Sequence, residues 1–255
     1  MGASSKIEWT NSTWNPVTGC SSISEGCKNC YARRMARRLK AMGLHRYRNG
    51  FRVTTHKEII DTPLRWKRPR SIFVNSMSDL FHEDVPMDFI EQVFGTINLA
   101  SWHIFQLLTK RADRLAKIAC NLKWPRNLWV GVTVESQQYV DRIQKLCTVP
   151  AEVRFVSFEP LLGPIKDLDL SSVDWAIVGG ESGPHSREMA ADWARIIRDT
   201  CIDYSVPFFF KQWGGSRKRD LYRTLDGRTW SQYPRLGADL GAYRDGEYSE
   251  VSPDS

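Results

Sequence analysis

The 255-residue sequence contains no apolar run approaching the roughly 18 residues of a membrane-spanning helix, which argues against a helical span and a membrane partner. Residues 1–10 show no basic stretch leading into an apolar run and a small-residue cleavage site, so no secretory leader is expected and the chain reads as cytoplasmic. With 6 cysteines and no secretion signal, a disulfide framework is not expected either. At 42% hydrophobic and 25% charged residues the chain has globular composition, which excludes a disordered or collagen-like protein. Acidic residues are scarce at the start. Residues 1–70 hold 15 Lys and Arg against 4 Asp and Glu, a net +11, while residues 71–255 hold 21 against 25, a net −4. The overall charge of +7 therefore originates in the first quarter of the chain, and it points to an anionic partner there.

The cysteines are unevenly spread. Cys120, Cys147 and Cys201 are scattered among helical patterns and read as small buried hydrophobes. The other three form Cys20-x6-Cys27-x2-Cys30, and three thiolates in one loop can close on a soft metal without long-range ordering. Structural zinc needs a fourth ligand, for which His45 or His56 would have to serve. A four-iron cluster held by three cysteines leaves one iron open to a cofactor or substrate. Iron–sulfur and zinc both stay open on spacing alone, with iron–sulfur the better match to three ligands.

Past this loop, short apolar runs alternate with helical patterns. The runs lie at 71–74, 103–108, 128–134, 153–158, 175–178 and 207–210; an earlier one at 14–18 precedes the helix that starts near Cys30. Nearly all-apolar strands alternating with helices such as 87–100, 137–146 and 190–201 indicate parallel strands covered on both faces. The predicted architecture is α/β, a partial TIM-type (β/α)6-7 barrel spanning residues 1–215, with an irregular extension over 216–255 that packs on or near it. In such barrels the loops after the strands share one mouth. Polar residues follow all six later runs: Asn75 to Asp79, Thr109-Lys110-Arg111, Glu135-Ser136, Glu159-Pro160, Gly179 to Gly183, and Lys211-Gln212.

The helix after Cys30 is two-faced. Tyr31, Ala32, Met35, Ala36, Leu39 and Met42 fall on one arc, with Arg33, Arg34, Arg37, Arg38 and Lys40 on the other. No acidic residues stand at pairing distance along it, so the arginines are either a solvated face or a surface for something anionic. Arg46 and Arg48 flank Tyr47, and a second basic-aromatic stretch runs over 65–70. Arginine with aromatics suits single-stranded nucleic acid or extruded bases.

The stretch from Lys6 to Thr10, the segment from Thr13 to Cys20, and Gly26-Cys27-Lys28-Asn29-Cys30-Tyr31-Ala32 resemble a phage- and prophage-associated family of three-cysteine proteins of poorly defined role, related to the radical S-adenosylmethionine (radical SAM) enzymes. Further matches are the segment from Asn75 to His82, Leu107 to Arg111, Gly131 to Glu135, Ser157 to Leu161, Val178 to Gly183 and Phe210 to Gly214. The resemblance implies that the loop over 14–31 carries Cys20, Cys27 and Cys30 as ligands of a [4Fe-4S] cluster, whose open iron is chelated by S-adenosylmethionine. An electron supplied by an external donor then cleaves the cofactor to a 5′-deoxyadenosyl radical, which takes a hydrogen from the substrate; the protein binds, orients and excludes water.

Two departures from the superfamily pattern are the six residues between Cys20 and Cys27, more than usual, and Asn29 where an aromatic residue normally precedes the third cysteine. The glycine-rich acidic motif of the second strand end is replaced, in order, by Ser76, Ser78 and Asp79. With Thr109, Lys110, Thr133, Glu135 and Glu181, these are the expected cofactor contacts. Asp79, Glu135 and Glu159 suit a cationic cofactor or its ribose, or else internal pairing with Lys110, Arg111 and Lys211. Lys211, Glu159 and His185, the last as a proton donor, are the expected catalytic residues, and His56 and His82 are structural. The arginines 33, 34, 37, 38, 46 and 48 would bind an anionic substrate: DNA, RNA or a nucleotide. Two other readings compete: a non-catalytic nucleic-acid-binding protein with a structural iron–sulfur or zinc site, and a barrel hydrolase using Glu135, Glu159 or Glu181 as a base beside a peripheral metal.

Overall fold

A computed structural model describes Ser5, residues 7–215 and residues 223–234. In chain order its strands are β1 (Ser12–Trp14), β2 (Val17–Thr18), β3 (Thr54–Thr55), β4 (Ser71–Val74), β5 (Ile104–Thr109), β6 (Leu128–Thr133), β7 (Val153–Phe158), β8 (Trp175–Gly179), β9 (Phe208–Gln212), β10 (Thr224–Leu225) and β11 (Arg228–Thr229). The helices are α1 (Tyr31–Ala41), α2 (Met87–Leu99), α3 (Ala112–Ile118), α4 (Asp141–Cys147) and α5 (Ala191–Asp203). Among the described residues, none of these helices is long and apolar enough to cross a membrane.

β1 and β4 to β9 form one seven-stranded sheet in the order β1-β4-β5-β6-β7-β8-β9, and every pair is parallel. Each strand lies beside its predecessor in the sheet, so right-handed crossovers put the helices on one face and the sheet curls into a half-barrel of the partial TIM type. The alternation of strand side chains divides the core accordingly. Ile72, Val74, Phe105, Val130, Val156, Val178 and Phe210 face α2 to α5 in the larger cluster. Phe73, Ile104, Trp129, Phe155, Trp175, Ile177 and Phe209 fill the concave side together with Trp9. The concave interior is therefore mostly aromatic, with Trp9 edge-on to both Phe73 and Trp175.

Three differences from the sequence reading have physical causes. The first run, 14–18, is split. Residues 12–14 join the sheet, whereas 17–18 pair antiparallel with β3, because Pro16 between them has no N–H to donate to a ladder. Cys120 is exposed and Cys147 half-buried; of the scattered cysteines only Cys201 is buried, on the inner face of α5. Residues 223–234, read from sequence as irregular, contain the hairpin β10–β11. Its Asp226 and Gly227 both have positive φ, +55° and +74°, as a two-residue hairpin turn demands. This segment docks on the barrel: Leu225 is fully buried, Tyr233 stacks on Trp175, and the Trp175 indole donates to the Gln232 carbonyl at 2.9 Å. The remainder of the extension, 216–222 and 235–255, lies outside the described residues.

Candidate active site at the barrel mouth

A cavity of about 270 Å³ opens at the carboxyl ends of the strands. Trp9 and Phe73 contribute its apolar floor, and its walls come from the loops after β4, β5, β7 and β8, from the ends of β6 and β9, and from the cysteine loop. Cys20, Cys27 and Cys30, all unbridged and half-buried, line this one cavity. Among the described residues no three Cys, His, Asp or Glu side chains are gathered closely enough to hold a metal ion. What the three thiols share is the wall of one cavity. The two histidines weighed as a fourth zinc ligand are engaged elsewhere, His56 Nε2 with Thr18 Oγ1 at 2.8 Å and His45 with Arg48.

The thiols differ in surroundings. Burial, and next the charge of Asp79, push the Cys20 thiol up to about 11, against the opposing pull of Arg111. For Cys27 burial also acts upward, but hydrogen bonding to the Ile23 backbone, the Lys110 charge and Ser24 outweigh it, and its pKa is lowered.

Three strand-end carboxylates hold the cysteine loop, one each from the ends of β4, β6 and β8. Asp79 accepts hydrogen bonds from Thr109 Oγ1 at 2.7 and 2.9 Å and from the Lys110 N–H at 3.2 Å, and it pairs with Arg111 at 3.3 Å; Arg111 in turn reaches Cys20 and Ser21. Glu135 is fully buried. It accepts from Ser24 Oγ in the loop and from Arg142 at 2.8 Å, with Lys110 Nζ 3.6 Å away. Glu181 accepts from Asn29 Nδ2 at 2.9 Å and is clamped by Arg187 at 2.6 and 3.1 Å. Burial works to raise the Glu181 carboxyl, yet the Arg187 and Asn29 donors prevail and hold it down at about 2. Of the expected cofactor contacts, Asp79, Thr109 and Glu181 line the cavity while also supporting the loop, whereas Glu135 does not line it. Ser76 and Ser78 line the cavity but donate to Asn15 at 3.2 Å and to the Val17 carbonyl at 2.7 Å. Lys110 and Thr133 also line it.

Glu159 also lies in the cavity wall, where it pairs with Lys211 Nζ at 3.0 Å and accepts from Ser157 Oγ at 3.1 Å, with no hydrogen bond to the cysteine loop among the described residues. Tyr31 faces the same space and donates its hydroxyl to the Ser76 carbonyl. His185, expected as a proton donor, is exposed and absent from the cavity lining. Its backbone carbonyl instead receives Asn29 at 2.9 Å.

The model of a family described as "Protein of unknown function (DUF5131)" matches residues 4–234. The chain belongs to that family. No curated protein matches it. Among solved structures, it is similar to spore photoproduct lyase complexed with dinucleoside spore photoproduct, at 12% identity and a TM-score of 0.46, over 78% of this chain and 63% of that one. A double mutant of that lyase with bound AdoMet and dinucleoside spore photoproduct gives 12% and 0.47 over 78% and 63%. A single mutant gives 13% and 0.48 over 78% and 62%. The chain spans less than two thirds of the length of these structures.

In this family member the basic face beside the mouth is heterogeneous. Arg33 reaches Ser22 and lies 5.6 Å from the Phe51 ring centre, and Arg34 donates to the Ser182 and Pro184 carbonyls at 3.2 and 3.5 Å, so both brace loops. Arg37, Arg38, Arg46 and Arg48 are exposed, and none pairs with a carboxylate among the described residues. On the apolar arc of α1 only Ala32 and Ala36 are buried; Tyr31, at the cavity, and Met35 are exposed. The residues that sequence reading missed are the tethers Ser21, Ser24, Asn29, Arg142 and Arg187. A signal was present, since Ser21 and Asn29 each adjoin a cysteine, as polar residues with a loop to hold would.

Proposed function

We propose that this protein is a [4Fe-4S]-binding enzyme of the radical SAM kind, acting on a nucleic-acid base or nucleotide with an external electron donor. The observation that carries this reading is the convergence of Cys20, Cys27 and Cys30 on one cavity at the carboxyl-end mouth of a parallel half-barrel. Three half-buried cysteines on the wall of a pocket fit a cluster that must face a bound cofactor. With S-adenosylmethionine bound, the cluster would supply reductive cleavage of the cofactor and hence a hydrogen-abstracting radical.

The chain's own residues do the rest. Asp79, Glu135 and Glu181 fix the loop from three sides, the aromatic floor excludes water, and Lys211 with Glu159 offers an ion pair for orienting a polar substrate beside the cofactor. Arg37, Arg38, Arg46 and Arg48 support an anionic substrate, since phosphates would supply the counter-charges that the described residues do not.

Anaerobic reconstitution with iron and sulfide, followed by S-adenosylmethionine and dithionite, is expected to release 5′-deoxyadenosine, and Cys20→Ala, Cys27→Ala or Cys30→Ala to abolish the release. A protein that holds an intact cluster and yet releases none would sink the reading.

A further inference from the structure

We propose that Arg111 is a positioning residue that fixes Cys20 and sets the charge balance of the cysteine loop, acting through the sulfur rather than on substrate. The inference rests on the cluster reading above and extends it to a residue outside the cysteine triad.

Arg111 follows β5, and its side chain is only 3% exposed although it carries a full charge. Every nitrogen of its guanidinium is occupied by protein. Nε donates to the two oxygens of Glu83 at 3.0 and 3.2 Å; Nη1 is shared between Asp79 at 3.3 Å and Cys20 Sγ at 3.4 Å; Nη2 donates to Ser21 Oγ at 2.8 Å and the Ser21 carbonyl at 3.3 Å. A planar fork with five donors can make this set of contacts, whereas an ammonium cannot. Arg111 lines the cavity, yet every N–H of its guanidinium is committed to the protein, most of them to the cysteine loop and its supports.

The neighbouring contacts point the same way. His82 Nδ1 accepts the Asp84 N–H at 3.1 Å, so its Nε2 carries the proton and donates to Ser21 Oγ at 2.8 Å. Two donors thus converge on the residue after Cys20.

A hydrogen-bond donor carrying positive charge at a ligating sulfur favours the more negative, reduced state of an iron–sulfur centre and so raises its potential. Arg111→Gln is expected to leave iron and sulfide per chain unchanged and shift the midpoint potential, read by an electron-paramagnetic-resonance redox titration, to more negative values. Arg111→Lys, which keeps the charge without the fork, should fall between. Glu83→Gln provides a second test at a side chain 64% exposed, where folding is not at stake. Removing a negative neighbour of the same guanidinium should shift the potential the opposite way, to more positive values. A loaded wild type with unshifted midpoints in these variants, or shifts of the wrong sign, overturns this inference alone. A wild type that takes up no iron overturns the cluster reading, and this inference with it.

Discussion

Gly131 shows how one missing side chain shapes the barrel interior. It sits mid-strand on the concave side of β6, where an added Cβ would lie 2.5 Å from the Phe155 ring. That ring is fully buried and packed 5.7 Å from Trp175, so it has little room to retreat. Gly131→Ala is expected to destabilise the fold by about 1–3 kcal/mol, measured by urea unfolding; an unchanged midpoint would mean that the aromatic floor yields freely. The glycine was visible inside an apolar run, but the ring it accommodates was not, because Phe155 is brought opposite only by the β6–β7 register.

The cysteine loop behaves as one element held at separate points, and the pH dependence of those points is readable. The Glu181 carboxyl is held at about 2, below its ordinary value of 4.5. A depressed carboxylate contributes stability that is complete above the unfolded value and is lost as pH falls through the folded one. The Asn29 tether is therefore expected to stay intact at neutral pH and to weaken as pH drops from about 4.5 toward 2, read as lower amide protection factors at residues 28–30 once the intrinsic pH dependence of exchange is divided out. Glu181→Gln should give the lower protection already at neutral pH, and a loop whose protection ignores both changes would show that Glu181 does not hold it. The hairpin β10–β11 illustrates a weaker form of legibility. Its Asp226-Gly227 pair is a strong turn signal, but with strands of two residues each there was no alternation to read around it.

At the scale of the whole molecule, charge is segregated: net +11 in residues 1–70 and net −4 beyond. The structure refines that asymmetry by committing Arg33 and Arg34 to internal contacts and leaving Arg37, Arg38, Arg46 and Arg48 exposed. Replacing these four by Gln is expected to weaken binding of a single-stranded oligonucleotide. It should also flatten the plot of log affinity against log salt, by up to about 1 for each phosphate that is no longer neutralised. An unchanged slope in a salt titration would remove this face from the substrate path.

The sequence by itself determined the parallel strand series, the three-cysteine donor set and the location of the positive charge, because apolar runs, ligand spacing and net charge are local properties of the chain. Only the tertiary structure decided which donors each mouth carboxylate meets. Asn29 and Glu181 are 152 positions apart, and Ser24 and Glu135 are 111. No periodicity links such pairs. Curling the sheet brings the strand ends around one loop, where burying an acidic side chain is favourable only beside a donor. Asp79, Glu135 and Glu181 found theirs in the cysteine loop or in the cations beside it, and Asp79, Glu181 and the Glu159–Lys211 pair all line the cavity.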